Sequence, residues 1–147
     1  MSTLAEILLA PHQKEALTAD CVRIVERHLN SLRSLRGLAL KAGLAVFKAA
    51  KPDLIPRVIG RLLPDFIAAL EPLYARFGQS THRDFSLFLR KNADETVEAI
   101  MGKIDARAAE SSNDTAQSTY RKLRGPIRGE LEALLPELSK TLSGYLG

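Results

Sequence analysis

At 147 residues, 46% apolar and 26% charged with a formal net charge of +4, the chain has the balance of one soluble domain whose core needs no disulfide or metal staple. Its single cysteine excludes an internal disulfide framework, which suits a reducing compartment. The apolar content is mostly Leu and Ala, with no Trp, and these residues favour helix over strand. The expected fold is all-α: one domain spanning residues 1–147, a bundle of roughly six to eight helices.

Thr3 and Glu6 have the spacing of a capping box, which opens a short helix that must stop near Pro11. A second helix runs from Pro11 to about residue 31, because proline suits a first helical position and Leu17, Cys21, Ile24, His28 and Leu32 recur at steps of three and four. A third covers roughly 34–50 and ends at Lys51-Pro52. Apolar residues lie nearly all round it, which predicts the central helix of the bundle, with the basic side chains laying their stems over neighbours.

Pro56, Pro64 and Pro72 then fall eight residues apart, predicting short helices or one kinked helix over 53–77, with Asp53 as first cap and Gly78 as the close. Thr81 with Asp84, and Asn92 with Glu95, repeat the capping spacing and place one bent or two consecutive helices over 82–110. Val97, Ile100, Met101, Ile104 and Ala108 form its apolar stripe. Ser111 to Asp114 reads as a loop with Asp114 as the next cap, and helices near 115–124, 127–135 and 136–145 follow, punctuated by Gly125-Pro126 and Pro136.

Lys51-Pro52, Leu62-Leu63-Pro64-Asp65-Phe66, Leu70-Glu71-Pro72, Asp105-Ala106-Arg107 and Lys122-Leu123-Arg124-Gly125 together resemble a bacterial family of small all-helical proteins catalogued as a domain of unknown function. The resemblance covers most of the chain. It implies a bacterial helical protein and carries over no catalytic or binding residue.

No catalytic, cofactor or metal constellation emerges. The three histidines lack ligand spacing, and Cys21 and His28 lie two helical turns apart, about 10.5 Å along the axis, beyond hydrogen-bond reach. They read as core-face residues. Asp94, Glu95 and Glu98 share a helix face, but acids in a first turn complement the helix dipole and face solvent. Gly37 and Gly43 lie inside a helical pattern without a preceding strand, so they permit close packing and form no phosphate loop. No enzymatic activity and no cofactor are expected; Asp65, Glu71 and His82 could act only by converging from separate helices.

Charge is the remaining clue. Residues 1–78 hold 11 basic and 7 acidic side chains, whereas residues 79–147 hold 10 of each. No acid occurs from Arg27 to Pro52, and Arg33, Arg36, Lys41, Lys48, Lys51, Arg57 and Arg61 make a candidate patch for an acidic partner or anionic lipid headgroups. Arg121, Lys122, Arg124 and Arg128 make a second. The leading expectation is a non-enzymatic interaction or accessory protein. The alternative is a carrier of a fatty acyl chain in a cavity left by Ala39, Ala42, Gly43, Ala45, Ala49 and Ala50. Nucleic-acid-backbone binding ranks last, since aromatics for base stacking are scarce.

The uncharged run Ala42 to Phe47 falls far short of the roughly 20 residues needed to span a bilayer, and the N-terminal stretch lacks a basic start, so a cytoplasmic location is expected. An exposed apolar strip on the third helix would favour a homodimer.

Overall fold

The structure, a computed structural model, describes residues 3–32, 35–50 and 53–146, with the side chains at 36, 39 and 46–50 outside the described part. Among the described residues the fold is all-α, with no strand. Seven helices follow in order: α1 (Leu4–Leu8), α2 (Pro11–Ser31), α3 (Leu35–Ala50), α4 (Leu54–Gly78), α5 (Phe85–Lys91), α6 (Ala93–Ala109) and α7 (Asp114–Gly144).

Local capping sets several of these boundaries. Thr3 Oγ1 accepts from the Glu6 amide at 3.1 Å and Asp84 accepts from the Leu87 amide at 3.3 Å, each relieving an orphan donor of a first turn. The cap expected at Asp114 sits one residue earlier, where Asn113 Oδ1 accepts from the Ala116 amide at 3.1 Å. The box expected at Asn92 and Glu95 does not form. The Asn92 side-chain Nδ2 donates back to the Phe88 carbonyl at 2.9 Å, while Glu95 takes two bonds from Arg76, at 2.7 and 2.9 Å.

Prolines punctuate less than their spacing suggests. α4 runs unbroken through Pro64 and Pro72, and α7 through Pro126 and Pro136, so the three short helices expected after residue 114 are one. An interior proline removes a hydrogen bond and costs about 3 kcal/mol. Leu63, Ile67, Leu70 and Leu73 are all buried along α4, at roughly 1.5–3 kcal/mol for each fully buried side chain, which offsets that cost. The carbonyls freed by Pro72, Pro126 and Pro136 belong to Ala68, Lys122 and Glu132, all exposed residues whose backbone water can serve.

The main core joins α1, α2, α4, α5, α6 and α7, with Phe85, Leu73, Ile67, Leu89 and Met101 essentially without solvent contact. α1 is docked by an acid from a distant helix. Glu71 of α4 accepts from the Leu4 amide at 3.1 Å and the Ala5 amide at 2.7 Å, an anion against a helix N-terminus, while Leu4 and Leu8 are fully buried.

α3 is not the central helix that its all-round apolar pattern predicts. Among the described residues the main core contains none from α3, which packs at the side of the bundle, chiefly against α7, in a small cluster of Leu32, Leu40 and Leu123. Its apolar residues are split between two faces. Leu40 is buried and Leu44 half-buried, whereas Leu35 is 87% and Leu38 50% exposed, and Ala42 and Ala45 are exposed.

Glu71→Ala removes both acceptors from α1 and should lower unfolding stability by about 1–3 kcal/mol in urea titrations, while Glu71→Gln, which keeps one acceptor, should lose less. Unchanged stability in Glu71→Ala would contradict the docking role.

Candidate functional site

Half-buried leucines and isoleucines concentrate where α3 and α4 pass beside α2 and α7. There they border a cleft of about 300 Å³, at the lower end of the usual size for small-molecule sites. α2 supplies Val25 and Leu29, α3 supplies Leu40 and Leu44, and α4 supplies Ile55 and Leu62. Ile127 and Leu134 of α7 form the facing wall, and Val58, 38% exposed, marks an edge open to solvent.

Among the described residues, the polar members of the lining are His28, Glu130 and Tyr120. His28 Nε2 lies 2.5 Å from Glu130 Oε2, with the Glu130 side chain only 7% exposed. The Tyr120 hydroxyl is committed to α6: it donates to Asp105 Oδ1 at 2.6 Å, beside the paired bonds from Arg124 Nε and Nη2 at 2.9 and 2.8 Å. The Arg124 guanidinium, and secondarily the Tyr120 hydroxyl, hold the Asp105 carboxyl below its ordinary value, although desolvation opposes them. Desolvation first, and then the bond to Asp105, raise the Tyr120 phenol. The cleft therefore presents hydrocarbon, one paired imidazole and carboxylate, and a phenol whose hydroxyl is already engaged.

Two wider hollows differ in chemistry. One, of about 930 Å³, follows α2 past Glu15, Arg23, Glu26 and Arg27; the other, of about 910 Å³, lies among Arg83, Arg90, Glu137 and Lys140. Both are open and lined by charges of both signs, as solvated surface usually is.

Of the residues of the two basic patches, those that the structure describes are partly paired and partly free. Arg33 and Lys51 lie outside the described residues, as do the side chains of Arg36 and Lys48. Lys41 is half-buried, with Nζ 3.5 Å from the Leu32 carbonyl. Arg57 pairs with Asp53 at 3.0 Å, Arg124 with Asp105, and Arg128 with Glu98 and Glu132. Among the described residues, Arg61, Arg121 and Lys122 are exposed and make no ion pair. Of the small residues of α3 expected to leave a cavity, Ala42 and Ala45 face outward and Gly43 packs against Leu123, while the side chains of Ala39, Ala49 and Ala50 lie outside the described residues; Leu40 and Leu44 line the cleft.

Asp65, Glu71 and His82 do not converge. Asp65 accepts from Arg107 Nε at 2.5 Å, Glu71 docks α1, and the His82 ring packs edgewise on Phe88. Cys21 is buried in the core, and burial first, then the Asp20 charge, push its thiol up to about 11. Among the described residues no group of three His, Cys, Asp or Glu is placed to hold a metal, and no helix is long and apolar enough to cross a membrane.

Fold and cleft define a small all-α bundle with an apolar recess between its helices. The chain belongs to the family of unknown function DUF6918, whose family model matches residues 4–146. No curated protein and no solved structure matches it.

Because the folded Asp105 carboxyl is depressed, its stabilising contribution is fully present above the unfolded value of about 3.9 and is lost as pH falls through the folded value. Asp105→Asn should therefore lower the thermal midpoint at neutral pH, and its difference from the parent should shrink below about pH 4. A difference independent of pH would contradict the assignment.

Proposed function

We propose that this protein is a non-enzymatic binding module that takes a hydrophobic small molecule, a fatty acyl chain or one of similar bulk, into the cleft between α2, α3, α4 and α7. The observation that carries this reading is the recess itself, about 300 Å³ lined by leucine, isoleucine and valine from five helices, Ile104 of α6 among them. A well-packed bundle leaves few voids larger than a water molecule, and an apolar space of this size gains by being filled.

A chain laid against Leu40, Leu44 and Leu62 would leave its polar head at the open edge beside Val58. His28 and Glu130 are paired, so the described lining favours hydrocarbon. The anionic-partner reading has weaker support in the basic residues alone, because Arg57, Arg124 and Arg128 are answered by acids of this chain.

The fluorescent fatty acid cis-parinaric acid reports its binding through its own emission, excited at wavelengths longer than protein aromatics absorb. It should bind saturably and raise the thermal midpoint. Leu134→Trp, which fills the cleft from α7, should weaken binding at least roughly tenfold while leaving the helical circular dichroism unchanged. Absence of binding to the parent chain, or equal binding by Leu134→Trp, would contradict the assignment.

A further inference from the structure

The open hollow among Arg83, Arg90, Glu137 and Lys140 carries charges of both signs, but the two signs are not equally free. It lies where α5 packs on α7. Arg83 stands just before α5, while Ser86 and Arg90, four residues apart, share one side of that helix. Glu137 and Lys140 face them from α7.

Arg83, Arg90 and Lys140 are exposed, and among the described residues their side chains make no ion pair and no hydrogen bond. The acids are engaged elsewhere. Glu137 is taken by Arg27 of α2, and Asp84 caps α5, accepting from the Leu87 amide at 3.3 Å. Three uncommitted cations therefore border one hollow against the single unpaired charge of Asp84. Arg57, Arg76, Arg107, Arg124 and Arg128, by contrast, are each answered by an acid of this chain.

Ser86 supplies an observation of a different kind. It is only 5% exposed, yet among the described residues its hydroxyl has no hydrogen-bond partner. Buried polar side chains are nearly always partnered. The side from which a partner can reach this hydroxyl is the hollow that Ser86 borders.

We propose that the hollow between α5 and α7 binds a phosphoryl group, with Arg83, Arg90 and Lys140 meeting its charge and Ser86 donating to one of its oxygens. A guanidinium presents a fork of donors that matches two oxygens, and an ammonium acts as a point charge. A phosphoryl group offers three strong acceptor oxygens, which suits donors arriving from the start of α5, its far end and α7. A halide could use the charge but not the directed bonds. The hollow shares no lining residue with the apolar cleft, so either assignment can fail alone.

The test is calorimetric titration of the full chain with sodium pyrophosphate, against sodium chloride at matched ionic strength. Pyrophosphate should bind saturably and raise the thermal midpoint, and chloride should do neither. Arg90→Gln and Lys140→Gln alter exposed positions, so they should fold normally and weaken binding roughly fivefold or more. Ser86→Ala breaks no bond within the chain; it should keep the thermal midpoint of the free protein and weaken binding roughly threefold. Arg121→Gln removes an exposed, unpaired cation of α7 outside the hollow and should bind as the parent does. All four should bind cis-parinaric acid at the parent level.

Vesicles containing phosphatidylglycerol distinguish the source of the group. Flotation that pyrophosphate abolishes assigns it to a lipid headgroup, and pyrophosphate binding without flotation assigns it to a soluble phosphorylated molecule. No binding in either arm would overturn the proposal. So would equal weakening by Arg121→Gln and Arg90→Gln, which marks attraction to net charge alone, or undiminished binding by Arg90→Gln and Ser86→Ala.

Discussion

The seating of α3 on α7 is the contact on which the apolar cleft of this molecule depends. A Cβ added at Gly43 would stand 2.6 Å from Leu123 Cδ1 and 3.1 Å from Cδ2, closer than carbon atoms approach without displacement. At Gly37 an added Cβ would lie 2.7 Å from Leu32 Cβ. Glycine at these positions lets α3 close against its neighbours and turns Leu40 into the cluster with Leu32 and Leu123. The helix rotation that buries Leu40 also sends Leu44 to the cleft and leaves Leu35 and Leu38 outside. Cleft and outer strip are thus two consequences of one packing choice, made by residues whose contribution is a missing side chain.

The remaining helices form a frame that can carry such a peripheral element. α4, α6 and α7 hold one another through the buried face that includes Leu63, Ile67, Val97, Ile100, Leu131 and Leu135. Acids and bases on separate helices tie the rim: Arg76 to Glu95, Arg107 to Asp65 and Arg124 to Asp105. These pairs are substantially exposed, and each contributes little to stability. They also answer the charges of Arg76, Arg107 and Arg124 at the surface.

Helix type and most boundaries were legible from periodicity and capping chemistry. Pro11–Ser31, the Thr3 cap and the stripe from Val97 to Ala108 are local signals that tertiary packing reinforced. Prolines misled where buried leucines could offset a lost hydrogen bond, so Pro64, Pro72, Pro126 and Pro136 sit inside long helices. The position of α3 was not legible, because apolar residues on every side describe equally a central helix and a peripheral one with an uncovered face. The cleft had no signature either. Val25, Leu62, Ile127 and Leu134 look like core residues until five helices are placed around a space that they do not fill. The pairing of Arg124 and Arg128 was also hidden, since Asp105 and Glu98 come from a different helix.

The central claim, that α3 turns Leu40 and Leu44 inward and Leu35 and Leu38 outward, is tested most directly by single cysteine substitutions at these four positions with thiol-labelling rates measured at neutral pH. The parent background is slow, because Cys21 is buried and its thiol is pushed up to about 11. Cysteines at 35 and 38 should label at the rate of an unfolded chain, and those at 40 and 44 many times more slowly, with position 44 slowed further by cis-parinaric acid. Fast labelling at 40 and 44 with protection at 35 and 38 would reverse the helix and remove both the cleft and the outer strip.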